Sequence, residues 1–296
     1  MLNCTDTRIY VGAVPDEEIS VIPSDAVDLV GLMSGYGTTQ ISGLTRPKAT
    51  INRSKLAGVN ASRVSGTQIS ERNIVLTVVP QGDGETLRQK LYHILPFDTK
   101  LRFYIKTATR KVFIDGYVED LGGDADEPNG EEFAVQVSII CPFPWFQSVE
   151  FHEETFSDQQ MVAVNKGDIP CGFTFYMDEP TNGYKISFIR GFKFYVGETI
   201  FQTKIGLASS SGRFNIPMIL STLPGEKMFY VKVDGSYTSM AFSLIDASSE
   251  WQALQPGENI VSMSCQSYQS PSSEEGAILD WDQWMRLTWR DTYSGV

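Results

Sequence analysis

Strand-like stretches dominate the chain. Ile74–Val79 (IVLTVV) is β-branched and ends at Pro80, and Leu101–Lys106 (LRFYIK) and Val112–Val118 (VFIDGYV) are short and aromatic. In Phe133–Ile140 (FAVQVSII) the alternation puts Phe133, Val135, Val137 and Ile139 on one face, and Pro142 and Pro144 end the run. One segment breaks the pattern. Gly82–Pro96 (GDGETLRQKLYHILP) predicts a helix: Asp83 or its neighbour caps it, and Glu85 suits its positive start. Leu87, Leu91, Ile94 and Leu95 form one apolar stripe, and Pro96 stops it. A single stripe predicts a helix lying on the adjoining sheet.

Beyond Trp145 only strands are predicted. They are Gly172–Tyr176, Tyr184–Ile189, Phe192–Val196, Thr199–Gly206, Arg213–Ile216, Met228–Val233, Ser239–Ile245, Asn259–Cys265 and Met285–Trp289. Turn signals such as Asn182-Gly183, Asp234-Gly235, Pro224-Gly225 and Pro256-Gly257 separate them, which suggests a β-sandwich. In the last strand Met285, Leu287 and Trp289 share a face opposite Arg286, Thr288 and Arg290. The change of pattern near Pro142–Glu154 divides the chain into a domain of residues 1–147, with one helix at 82–96, and a domain of residues 148–296.

Charge adds a second layer. The 24 basic and 36 acidic residues give the chain of 296 a net charge of −12, which argues against binding nucleic acid by phosphate neutralisation. Against that background Arg46–Arg72 is an inversion, with six basic residues and one acid, while Asp115–Glu132 holds eight acids and no base. Asn52–Ser70 has few large apolar residues and cannot cover a core. It reads as an extended arm or hairpin leaving the domain. No apolar run approaches the ~18 residues of a spanning helix, and Met1–Tyr10 lacks the basic and apolar regions of a signal peptide, so folding in a cytoplasm is expected.

Candidate chemistry is sparse. Cys4, Cys141, Cys171 and Cys265 form no Cys-x-x-Cys pair and read as reduced, mostly buried thiols. Only His93 and His152 could serve a nucleophile; His93 reads as a helix flank and His152 as part of a solvated inter-domain linker. Asp120–Glu132 (DLGGDADEPNGEE) fails the twelve-residue calcium loop because Pro128 falls at its fifth position, counted from Asp124. Gly82-Asp83-Gly84 lacks a Walker lysine and carries an acid. Phe173, Phe175, Tyr176, Phe192, Phe194, Tyr195, Trp251, Trp281 and Trp284 could stack on sugars, but at strand spacing they read as core. The expectation is a protein that is not an enzyme and holds no cofactor or metal.

The order of these features resembles the distal tail proteins of long-tailed bacteriophages. The resemblance is carried by SERNIVLTVV (70–79), ETLRQKLYHILP (85–96), LRFYIKTATRKVFIDGYVEDL (101–121) and VQVSIICPFPWF (135–146). PGENIVSM (256–263) and MRLTWRDTYSGV (285–296) carry it more loosely. It implies a mainly β protein: an N-terminal β-barrel-like domain with one α-helix, then a C-terminal galectin-like β-sandwich serving as a platform. It implies a hexameric ring at the distal end of the tail, with a central channel for DNA. The expected partners are copies of itself, the tail tube protein, the tape-measure protein, a tail-tip hub or fibre protein and receptor-binding proteins. No membrane and no sequence-specific nucleic acid is expected. Arg53, Lys55 and Arg63 on the arm are expected to meet acids of a neighbouring subunit, with Asp120, Asp124, Asp126, Glu127, Glu131 and Glu132 as the counter-loop. The rival reading is a lectin-like host-adhesion module.

Overall fold

The computed structural model describes residues 7–55, 61–122, 134–156, 160–178, 188–203, 214–215, 218–233, 236–239, 245–268 and 285–296. Among these residues the fold is mainly β with one α-helix, and the chain forms two units. The first comprises the chain up to Glu150 together with Tyr293–Val296, and the second runs from Phe151 to Thr292.

The first unit contains β1 (Arg8–Ala13), β2 (Val27–Asp28), β3 (Tyr36–Ser42), β4 (Ala49–Lys55), β5 (Ser62–Ile69), β6 (Arg72–Pro80), α1 (Gly84–Ile94), β7 (Leu101–Lys106), β8 (Lys111–Gly122), β9 (Val135–Cys141) and β10 (Phe146–Ser148). One sheet runs β2-β1-β7-β8-β9-β6-β3. Its inward positions from opposite ends, Ile9 and Val11 of β1 and Leu76 and Val78 of β6, share one core, so the sheet is curled like a barrel. Thr38 of β3 closes the curl by donating to the Leu29 carbonyl beyond β2, at 2.7 Å.

The curl hinges on β8. Its first half pairs with β7 and its second half with β9, with a bulge between Val118 and Asp120. Gly116 sits at the changeover. A Cβ there would lie 2.8 Å from Ile139 Cγ2 and 2.9 Å from the Ile140 carbonyl oxygen, so only glycine fits. The helix is two residues shorter at each end than the sequence suggests. Asp83 caps it, accepting from the Thr86 amide and hydroxyl, and Leu91 and Leu95 enter the core.

The second unit begins with β11 (His152–Thr155), β12 (Gln160–Asn165), β13 (Phe173–Met177), β14 (Phe188–Val196), β15 (Thr199–Gln202) and β16 (Phe214–Asn215). It continues with β17 (Met218–Ser221), β18 (Met228–Val233), β19 (Ser236–Ser239), β20 (Gly257–Tyr268) and β21 (Met285–Trp289). A six-stranded sheet runs β11-β21-β13-β17-β18-β19, and β12-β20-β14-β15 forms a second sheet, with β16 beside β14. Phe173, Phe175, Phe229 and Leu287 from the first sheet share a core with Phe192, Phe194 and Val261 from the second. The unit is therefore a sandwich. Phe175 and Phe194 meet across it with ring centroids 4.9 Å apart.

His152 is not in a solvated linker. It opens β11, its Nε2 lies 3.0 Å from Asp291 Oδ2, and its ring stacks on Trp289 at 5.1 Å. Asp291 is buried and also accepts from the Lys166 amide at 2.8 Å. The last strand, β22 (Thr292–Tyr293), pairs with β10, and Tyr293–Val296 return to the first unit.

Arg72 receives that returning segment. Its guanidinium is buried, with no acid beside it among the described residues. Instead it donates to four carbonyls: Pro144 at 2.7 Å, Gly43 and Thr45 at 2.5 Å each, and Ser294 at 2.7 Å. Phe146 lies under it at 4.3 Å. Burial draws its pKa down to about 10, which leaves it charged at neutral pH. Arg72→Met would strand four carbonyls together, and we expect a loss of about 3–5 kcal/mol in urea denaturation. Arg72→Lys should recover less than half. A loss below ~1 kcal/mol for the Met variant would show that the carbonyls find other donors.

Cys141 and Cys171 are buried, and desolvation pushes both thiols up to about 12. Peptide-resolved alkylation at pH 8 should therefore leave both unmodified until urea unfolds the protein. Because they ionise earlier in the unfolded chain, the stability they contribute is complete below the ordinary thiol range near 9 and is lost as pH rises toward about 12. Alkylation of either in the native state at pH 8 would contradict the packing.

Candidate functional site

Among the described residues, strands β4 and β5 pair only with each other, and they are exposed at every residue. The Ser70 amide closes the base of the hairpin on the Lys48 carbonyl at 3.5 Å. Its strands run Ala49–Lys55 and Ser62–Ile69, beginning three residues before the expected arm. Its composition explains why it leaves the body: Thr50, Asn52, Ser54, Ser62, Ser65 and Gln68 offer nothing a core would accept.

The two faces of this hairpin differ. Cross-strand partners lie on one side of a sheet. Ala49 opposes Ile69, Ile51 opposes Thr67, and Arg53 opposes Val64 after a bulge that begins beyond Asn52. One face therefore carries Ala49, Ile51, Val64 and Ile69, with Arg53 and Lys55 toward the far end. The other carries Thr50, Asn52, Ser54, Arg63 and Gln68. Ile51 is 56% exposed and Val64 59%. A two-stranded hairpin with an uncovered apolar face is marginal in water, which makes this surface the candidate for contact with another chain.

The three cations of the arm do not form one patch. Arg53 and Lys55 share the apolar face, whereas Arg63, opposite Ser54, lies on the polar one. None of the three makes an ion pair among the described residues. Asp120 is exposed on β8 opposite Ser138. Asp124, Asp126, Glu127, Glu131 and Glu132 lie outside the described residues. The sequence signal that marks the apolar face is the alternation Ala49-Ile51 continued by Val64 and Ile69. It is legible only once the pairing register is known.

Other candidates take their places. Phe173, Phe175, Phe192 and Phe194 are core, and Trp251 packs beside it. Tyr176 faces outward from β13 and Tyr195 from β14, while Trp281 and Trp284 lie outside the described residues. His93, in the last turn of α1, is exposed. Among the described residues no three His, Cys, Asp or Glu side chains are grouped to hold a metal ion, and no helix is long and apolar enough to cross a membrane.

A curled sheet unit with one helix and a free hairpin, followed by an aromatic-cored sandwich, is the class of fold defined here. It is the fold of the SPP1 Dit (gp 19.1) protein, a paradigm of the hub adsorption apparatus in phages infecting Gram-positive bacteria. The likeness covers 97% of this chain and 98% of that one, with a TM-score of 0.63 and 12% identity. Chains of the phage P2 baseplate in its activated conformation, with calcium or with strontium, align over 98% of this chain and 99% of theirs at 10% identity and a TM-score of 0.48. No family model and no curated protein matches the sequence.

Trypsin should read the hairpin directly. We expect the first cuts in the native protein after Arg53, Lys55 and Arg63, while Arg72 and Arg102, both held by hydrogen bonds, resist. Initial cleavage at Arg72 or Arg102 would contradict the placement.

Proposed function

We propose that this protein is a structural component of a phage tail tip or baseplate, located at the distal end of the tail and made in the host cytoplasm. In this reading it forms a ring, hexameric by analogy, that joins the end of the tail tube to the tail-tip hub or fibre and leaves a channel for DNA. The observation that carries the proposal is the free amphipathic hairpin on a chain whose fold, over nearly its whole length, is that of a phage hub adsorption protein. The tape-measure protein and receptor-binding proteins are further partners in this reading, the latter on the second unit. The reading assigns no catalysis.

The physics of the ring follows from the hairpin. A ring repeats one heterologous interface until rotation closes it. Each arm reaches a neighbouring copy and lays Ala49, Ile51, Val64 and Ile69 against it. Covering the large side chains contributes roughly 1–2 kcal/mol each, since they are already partly shielded in the hairpin. Rim ion pairs from Arg53, Lys55 and Arg63 to acids of the neighbour, Asp120 and the acids of residues 124–132 among them, add about 0.2–1 kcal/mol each. Apolar contact thus holds the ring and charge sets its register. An acidic or neutral lumen would let DNA pass without counterion-release binding.

Replacing residues 53–64 by a short Gly-Ser turn should leave the unfolding transition in place, because the hairpin covers no core. In negative-stain microscopy and light scattering the same variant should stay monomeric where the parent forms rings. Ile51→Asp with Val64→Asp should do likewise. Rings formed by the shortened variant would remove the arm from the mechanism, and a parent that never forms rings, alone or with tail tube protein, would remove the ring.

A further inference from the structure

The outer face of the six-stranded sheet carries chemistry that ring assembly does not use. Phe173, Phe175, Leu220, Phe229, Leu287 and Trp289 point into the core, so the alternate residues point out. Cross-strand register sets Arg286, Tyr176, Ile219 and Tyr230 side by side across β21, β13, β17 and β18. The parallel row holds Thr288, Thr174 and Ser221. These three are only 4%, 8% and 7% exposed, while the first row stands half-exposed beside them. The face is a ridge beside a low row of hydroxyls, crossing three strand spacings, or about 14 Å.

Arg286 organises the ridge. Its Nη1 lies 3.2 Å from Glu153 Oε2, its Nε lies 3.3 Å from Asp178 Oδ2, and its guanidinium carbon sits 4.3 Å above the Tyr176 ring. Two carboxylates therefore hold a flat, many-donor group on an aromatic surface. All three charged side chains stay 36–47% exposed. Adjacent acceptors and donors match vicinal hydroxyls, which both donate and accept. Tyr230, two strands from Tyr176 and away from the Arg286 guanidinium, supplies an apolar flank suited to the C–H face of a sugar ring. The sign of the charge selects among glycans: one cation and two carboxylates sum to −1, which repels phosphate and sulfate.

We propose that this face binds a neutral, hydroxyl-rich glycan, with Arg286, Glu153 and Asp178 hydrogen-bonding vicinal hydroxyls. The site lies wholly in the second unit and does not depend on the arm. The test is calorimetric titration of the full chain with short neutral gluco-, galacto- and N-acetylglucosamine oligosaccharides, and with polyphosphate as the anionic probe. Binding of at least one neutral oligosaccharide at millimolar concentration or below is expected, with a fall of roughly tenfold or more in Arg286→Met, as loss of charge-assisted hydrogen bonds produces. Should Arg286→Met lower the unfolding midpoint, Tyr230→Ala, outside the ion pairs, takes its place with the same expected fall. Rings in negative stain should be unaffected by either variant, which separates this proposal from the assembly reading. No binding of any neutral probe, binding untouched by both variants, or a preference for polyphosphate would each overturn it.

Discussion

A buried guanidinium bonded only to carbonyls holds the first unit in register. Arg72 opens β6, and its four acceptors come from segments far apart in sequence: Gly43 and Thr45 ahead of the hairpin, Pro144 after β9, and Ser294 in the returning segment. A carboxylate in its place would satisfy the charge but tie down only one segment. Carbonyls do the opposite: each contributes a partial charge, and the four acceptors tie three separate stretches of backbone to one side chain. The Val296 amide on the Leu44 carbonyl, and Arg110 over the Tyr293 ring, fasten the same region from outside. The hairpin is rooted between Thr45 and Arg72, so its base is fixed although, among the described residues, its strands pair with no other strand.

That contrast, a rigid base under an uncovered apolar face, is what suits the hairpin to the contact role proposed for it. A floppy arm would pay its ordering entropy on contact. A hairpin with its own ladder and a clamped root loses less. The division of Arg53 and Lys55 from Arg63 matters in the same way. A face with both apolar area and two cations can dock against an apolar seam edged with acids, while Arg63 on the reverse face meets solvent or a different surface.

The sandwich is held on different terms. Its core is aromatic, with Phe156, Phe173, Phe175, Phe192, Phe194, Phe201 and Phe229 in contact across both sheets. Polar fastenings sit at its margins: Asp291 with His152 and the Lys166 amide, and the Asn165 side chain on the Ile169 and Leu254 carbonyls. These secure the strands where the chain enters and leaves, and they leave the outer face of the six-stranded sheet free for polar and aromatic groups that the core does not need.

Local pattern alone determined a good part of this. A β-branched run marked β6, short aromatic runs marked β7 and β8, alternation marked β9 and β21, an apolar stripe with Asp83 before it marked α1, and a dearth of large apolar residues marked the hairpin as something that leaves the body. Those features follow from period and composition, which belong to neighbouring residues. Tertiary structure decided the rest. Strands β1 to β3, β11 and β12 are short or mixed in pattern and exist because a partner strand offers its hydrogen bonds. Tyr176 points out while Phe175 points in, and Arg53 parts from Arg63, because register rather than composition assigns a face and one residue of slip exchanges every side chain. Arg72 looks in sequence like one more cation of a basic run; only the meeting of four distant carbonyls makes its burial affordable.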